Sequence, residues 1–309
     1  MKAAQITEFG DASVIDITDT DQPTITADQL LVKVSASSIN PFDFAMLGGM
    51  IESLADQFPL TLGLDIAGTI AEIGANVTGF TVGDRVYGSA SFFAGGSGAF
   101  AEFAAVDPSS IAKTPDNITD QEAATLPTAG LSALQAVVDN GHVVAGQKVF
   151  INGGSGGVGV IEIQIAKALG AYVATTVSTP NVEFVKALGA DEVIDYKTAD
   201  FTKTLLDYDV ALENARADKE AVLSVVKDGG IAVSITGGFD EAETSARNIT
   251  AIGQQTNVNT KSLDELSAMV ASGQVKAIVA KTIPLENIAD AFNDKQTDSV
   301  QGKIVIAIG

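Results

Sequence analysis

The stretch Lys148-Val-Phe-Ile-Asn-Gly-Gly-Ser-Gly-Gly-Val-Gly-Val-Ile-Glu-Ile-Gln-Ile-Ala-Lys-Ala-Leu169 decides the fold. It opens on a short apolar run (148–152), passes through a glycine-rich turn and ends in a helix-forming run that stops at Gly170. Within the turn, Gly154, Gly156 and Gly159 stand at the spacing G-x-G-x-x-G. The first glycine permits a tight turn, the second lets backbone approach a pyrophosphate, and the third lets helix and strand pack closely. The phosphates then meet N–H groups at a helix N-terminus. Gly154, Ser155, Gly156, Gly157, Val158 and Gly159 are therefore the candidate dinucleotide-binding residues. Such a motif alone is weak, since a glycine-rich turn is often only a turn. The order of strand, motif, helix and next strand gives it weight.

That next strand is 171–177, and it finishes where NAD-preferring proteins place an acidic residue against the adenosine ribose. Here the position is Ser178, followed by Thr179, Pro180 and Asn181. A carboxylate would repel a 2′-phosphate and a hydroxyl would not, so NADPH is the expected cofactor. Lys186 and Lys197 are candidate phosphate partners by proximity in sequence only, and a residue of this kind is more often a solvated surface lysine.

Further along, apolar strands and helical stretches keep alternating: 182–188, 193–196, 209–213, 230–236 and 249–254, with a last helix at 263–271. Strands apolar along their whole length are buried on both faces, which predicts a parallel, doubly wound sheet. Before residue 122 the texture is different. Short alternating runs such as 29–35, 68–74 and 84–87 are broken by Gly, Asp, Asn and Pro, the pattern of antiparallel strands. The tail, with strands at 278–283 and 303–308, is too short to be a domain and is expected to complete the first lobe, leaving the active site in a cleft between the lobes. The division predicted is 1–122 with 274–309 for the β-rich lobe and 123–273 for the nucleotide lobe.

A length of 309 residues suits two such lobes. The 39 acidic and 18 basic residues give a net charge of −21, which disfavours binding to nucleic acid or to anionic membranes. With 46% hydrophobic residues the chain has ample material for a core. The absence of Cys removes thiolate metal sites and cysteine nucleophiles, and the single His142 removes a multi-histidine site. No secretory leader pattern and no long uncharged apolar run occurs, so a cytoplasmic location is expected.

Several segments together are recognisable: Ser38-Ile-Asn-Pro-Phe-Asp43, Leu62-Gly-Leu-Asp-Ile-Ala-Gly68, Val82-Gly-Asp-Arg-Val86, Leu126-Pro-Thr-Ala-Gly-Leu-Ser-Ala133, Gly156-Gly-Val-Gly159, Leu188-Gly-Ala-Asp191 with Val193-Ile-Asp-Tyr196, and Gly302-Lys-Ile-Val305. In this order they resemble the zinc-independent quinone oxidoreductase branch of the medium-chain dehydrogenase/reductase superfamily over nearly the whole chain. The resemblance implies an α/β protein with a GroES-like β-rich catalytic domain and a Rossmann domain. It also implies NADPH-dependent hydride delivery to quinones or other activated α,β-unsaturated carbonyls, a small-molecule electron-poor substrate, and a homodimer paired through the edge strand at 249–255. Zinc-dependent relatives carry a metal-binding Cys where this chain has Asn40 and a His where it has Leu64, and the third position, near 128–130, also lacks a ligand. No metal is therefore expected.

By the same resemblance, Asn40 and Asp43 line the nicotinamide ribose end, although Asn-Pro and Asp also suit a plain turn after a strand. Ser132 stands where the family has a Thr beside the nicotinamide, and Tyr196 matches a Tyr that contacts the adenosine phosphate, with a packed aromatic as the alternative. Tyrosines and an arginine common near the site are replaced by Ala45, Ile51 and Leu47, which makes the site more apolar. An enoyl-thioester reductase and a non-catalytic NADPH-binding sensor or structural protein are the alternative readings. No acid or second His accompanies His142 in a recognisable pattern, and it reads as a surface residue.

Overall fold

The computed structural model describes residues 1–215, 219–297 and 300–309. The chain divides into one unit made of Met1–Thr128, Val258–Ala271 and Ala277–Gly309, and a second made of Ala129–Asn257 and Ser272–Lys276.

In the second unit, six parallel strands form a sheet in the spatial order Glu192–Asp195, Tyr172–Val177, Lys148–Asn152, Tyr208–Glu213, Val226–Ser234, Thr250–Gly253. Numbered along this unit, that order is 3-2-1-4-5-6, the doubly wound Rossmann arrangement. Lys148–Asn152 is the strand from which the chain first winds one way and then the other, so the crevice of the switch point opens at its C-terminal end, where the glycine turn begins. The helix that follows, Gly159–Ala168, buries eight of its residues, in keeping with a sequence apolar on nearly every face.

The first unit is built on antiparallel pairing, as the alternating runs require. Leu30–Ser38 pairs with Asp65–Ile73, which pairs with Arg85–Ser89, which pairs with Ile111–Lys113. The tail joins this sheet: Lys303–Ala307 lies antiparallel to Leu30–Ser38 and parallel to Val279–Pro284. One core of aliphatic side chains, including Leu30, Val32, Ile66, Val86, Ile304 and Ile306, lies beneath it.

Two features differ from the sequence reading. Thr260–Ala271 groups with the first unit, whereas a division at 123–273 places it in the second. Its buried residues Leu263, Leu266 and Val270 recur at helical spacing, and polar contacts fix it. Tyr87 Oη donates to Leu263 O at 2.8 Å, Asn117 Nδ2 to Val270 O at 3.1 Å, and Thr260 Oγ1 to Ile111 O at 2.8 Å. Periodicity identifies an amphipathic helix without naming the sheet it covers. The second bears on the plain-turn alternative for Asn40 and Asp43: Pro41–Leu47 is a helix, with Asn40 as its N-cap and Pro at its first position.

Candidate active site

The glycine turn is built as its spacing requires. A Cβ at position 154 would fall 2.1 Å from Thr175 Oγ1, and one at position 159 would fall 2.4 Å from Gly153 O, so Gly154 and Gly159 are demanded by the packing of turn, helix and strand. Position 156 is different: a Cβ there would find only Gly153 O, at 3.5 Å. Among the described residues nothing else meets a side chain there, and the space beside it suits an approaching pyrophosphate. No side chain caps the start of Gly159–Ala168, which leaves its N-terminal dipole for an anion. The residues present therefore fit a dinucleotide.

At the neighbouring strand end, Asn181 Nδ2 donates to Ser155 Oγ at 3.0 Å and to Ser178 Oγ at 3.3 Å. Two predicted contact residues, Ser155 and Ser178, are thus joined by Asn181, a buried residue that sequence reasoning passed over as part of a turn. A carboxylate stands close to this strand end as well. Asp195 is in register with Val177 and accepts from Thr179 Oγ1 at 2.6 Å and from Lys197 N at 2.9 Å. Tyr196 is 52% exposed, and Lys197 Nζ lies 5.2 Å from its ring centre. Lys186 is paired with Glu183 at 2.8 Å on the surface. His142 is exposed, in a left-handed turn with φ 48°.

In the first unit, Asn40 and Asp43 come together within a buried polar cluster whose centre is Asp65. Asp65 Oδ2 accepts from Ser38 Oγ at 2.9 Å, from Asn40 Nδ2 at 2.8 Å and from Lys303 Nζ at 3.4 Å. Its Oδ1 accepts from Thr128 N at 3.0 Å and Thr128 Oγ1 at 2.6 Å. Lys303 Nζ also donates to Ile39 O at 2.9 Å and to Asn40 Oδ1. Its burial pulls the ammonium below the usual lysine range, while Asp65 and Asp43 resist. The Asn40 side chain is therefore gripped at both ends, its amide nitrogen by Asp65 and its oxygen by Lys303. Asp43 Oδ2 accepts from Asn40 N at 2.7 Å, and its Oδ1 is buried without a partner. Burial pushes this carboxyl up to about 7 against the Asn40 hydrogen bond; Asp65 adds to the rise and Lys303 opposes it. Sequence reading missed Asp65 and Lys303. The available signal was a charge inside otherwise apolar segments, Leu-Gly-Leu-Asp-Ile-Ala and Lys-Ile-Val-Ile.

Ser132 belongs to the second unit. Its Oγ shares a hydrogen bond of 2.6 Å with Thr256 Oγ1, and its carbonyl accepts from Gln254 Nε2 at 2.9 Å. Asn40 and Leu64 are both buried, the first in the polar cluster described above and the second in the hydrophobic core. Among the described residues no cluster of three or more His, Cys, Asp or Glu side chains is arranged to hold a metal. No helix among them is long and apolar enough to cross a membrane.

Comparison with known proteins places this geometry. A family model described as alcohol dehydrogenase GroES-like domain matches residues 26–116, and one described as zinc-binding dehydrogenase matches 188–306. The 2-methylene-furan-3-one reductase of Solanum lycopersicum is 33% identical over 99% of this chain and 79% of that protein. The chloroplastic NADPH-dependent alkenal/one oxidoreductase of Arabidopsis thaliana is 32% identical over 99% and 79%. The solved quinone oxidoreductase of Coxiella burnetii superposes with a TM-score of 0.91 at 30% identity, covering 100% of this chain and 99% of that one. The chain belongs to the quinone oxidoreductase-like branch of the medium-chain dehydrogenase/reductase superfamily. This medium-chain reductase is accordingly a nicotinamide-dependent oxidoreductase with a GroES-like and a Rossmann domain.

Proposed function

We propose that the protein is a zinc-independent reductase that uses NADPH to reduce small electron-poor acceptors, quinones or other activated α,β-unsaturated carbonyls. One observation carries the reading: a complete dinucleotide turn accompanies Asn40 and Leu64 where a catalytic zinc would need ligands. The printed activities of the tomato and Arabidopsis relatives support the same acceptor class.

When bound, the nicotinamide supplies the hydride. The chain's residues bind and orient. Gly154, Gly156, Gly157, Val158 and Gly159 hold the pyrophosphate, Ser178 with Ser155 and Tyr196 the adenosine end, and Asn40, Asp43 and Ser132 the nicotinamide end. Replacement of the zinc ligands leaves no Lewis acid to stabilise an alkoxide, so the acceptor must take the incoming charge into its own conjugation. Rate enhancement then comes chiefly from positioning. We assign the protein to the cytoplasm as a homodimer, paired through Thr250–Gly253, which forms one edge of its sheet.

The test is NADPH oxidation against a panel of quinones, enones and saturated alcohols with NADP, before and after exhaustive chelation. Turnover of quinones or enones, unchanged by chelation and without alcohol oxidation, is the expected result. Robust alcohol oxidation, or activity lost to the chelator and restored by zinc, refutes the reading. A binding titration addresses the cofactor. NADPH should bind at least several-fold more tightly than NADH, and Ser178→Asp should reverse the order by setting a carboxylate against the 2′-phosphate. Equal affinities in the parent protein would defeat this assignment.

A further inference from the structure

Beneath the glycine turn lies a second buried polar group that the reading above does not use. Glu162 stands in the first turn of Gly159–Ala168 and has no solvent exposure. Its Oε2 accepts from Asn214 Nδ2, while its Oε1 and Asn214 Oδ1 are buried without partners. Asn214 follows directly on Tyr208–Glu213, and its N donates to Asn152 O at 3.3 Å, beside the start of the turn. The next residue, Ala215, packs on the turn itself: a Cβ at Gly153 would meet Ala215 Cβ at 3.1 Å. The Glu162–Asn214 hydrogen bond thus ties the helix leaving the glycine turn to the loop resting on the residue that enters it.

We propose that Glu162, acting through Asn214, is a positioning residue for the dinucleotide: the tie holds the glycine turn in the shape that receives the pyrophosphate. The inference rests on the reading of that turn as the cofactor site. The charge state of Glu162 follows from its surroundings. Among the described residues, the charged group acting on it is Glu213, also fully buried. Glu213 accepts from Ala215 N at 2.9 Å, from Ser234 Oγ at 2.7 Å and from Thr236 Oγ1. Those three donors converge on the Glu213 side chain, which disfavours a charge on Glu162 beside it. Burial, with Glu213 adding to it, pushes the Glu162 carboxyl up to about 8, against the Asn214 hydrogen bond. A neutral Glu162 is compatible with an anion at the same helix end. An ionised one places a negative charge inside the turn where the pyrophosphate needs a positive dipole.

The experiment is a titration of the full chain with NADPH, followed by cofactor fluorescence, across the alkaline range. For the parent protein the Kd is expected to rise at least about 10-fold between about pH 7 and about pH 9.5, by proton linkage at one group. Glu162→Gln, which keeps a neutral hydrogen-bonding side chain, should bind within about 3-fold of the parent at about pH 7 and lose the alkaline rise. Glu162→Ala should bind at least about 10-fold more weakly at about pH 7, as expected when a buried tie is removed. A parallel alkaline rise in the parent and in Glu162→Gln overturns the inference alone, even if Glu162→Ala fails to fold. Folded parent protein that binds neither NADPH nor NADH overturns the cofactor reading and the inference together.

Discussion

Asp65→Ala should lower the free energy of unfolding by about 3–5 kcal/mol, the range for breaking a buried ion pair by removing one partner. The loss has identifiable sources. Without the carboxylate, the Lys303 ammonium, 6% exposed, keeps only Ile39 O and Asn40 Oδ1, and the polar groups of Ser38, Asn40 and Thr128 lose their shared acceptor. A buried charge stripped of its hydrogen-bonded counter-ion costs more than the pair itself contributes. The double variant Asp65→Leu with Lys303→Met should therefore be more stable than Asp65→Ala, because neither charge is left inside. Denaturant unfolding of the three proteins, followed separately for each unit because two-domain chains need not unfold in one step, makes the comparison. A cost below about 1 kcal/mol for Asp65→Ala would mean that the cluster is solvated in a way the geometry excludes.

Gly156→Ala should produce the largest loss of cofactor binding at the smallest cost in stability. The backbone at this position lies outside the left-handed region, and an added Cβ meets only Gly153 O at 3.5 Å, so the protein accepts alanine. On the proposed reading a bound pyrophosphate would not, since that Cβ would fill the space of its approach. Affinity for NADPH should fall on the order of 100-fold, about 2.8 kcal/mol, with an unchanged melting temperature. Gly154→Ala and Gly159→Ala provide the contrast. There the added Cβ lies 2.1 Å from Thr175 Oγ1 or 2.4 Å from Gly153 O, so the fold itself must yield. Equal losses of stability in all three variants would show that Gly156 is retained for packing and not for a ligand.

The parts of the molecule that were legible in the sequence are those governed by local rules. Lys148–Asn152, the glycine turn and Gly159–Ala168 are specified by residues within one short segment, and the apolar strands that follow announce a parallel sheet through their burial on both faces. Sequence periodicity also located Thr260–Ala271 as a helix, but an amphipathic stripe does not say which sheet it faces. The buried charges were not legible for a related reason. Lys303 and Asp65 stand 238 positions apart, and neither residue type carries information about its partner. Glu162 sits in Val-Ile-Glu-Ile, where a charge on an apolar face is the only local sign of something unusual. The place of Ser178 at a strand end is a local feature, whereas its link to Ser155 through Asn181 depends on how the turn closes.

The final strand of the first sheet has a consequence for biosynthesis. Lys303–Ala307 supplies both a strand beside Leu30–Ser38 and the cation for Asp65. A ribosome adds about 5–20 residues per second, so the 238 positions between Asp65 and Lys303 take roughly 12–50 s to emerge. Until that interval ends the nascent first lobe lacks a counter-ion for a carboxylate that must end up dry, while all six strands of the nucleotide lobe emerge in the course of it. The nucleotide lobe is thus the first able to close, and the first lobe must wait for Lys303–Ala307. Limited proteolysis of ribosome-stalled chains should show protection of 129–257 before protection of 1–128. The reverse order would mean that the first lobe can seal around Asp65 before its lysine exists.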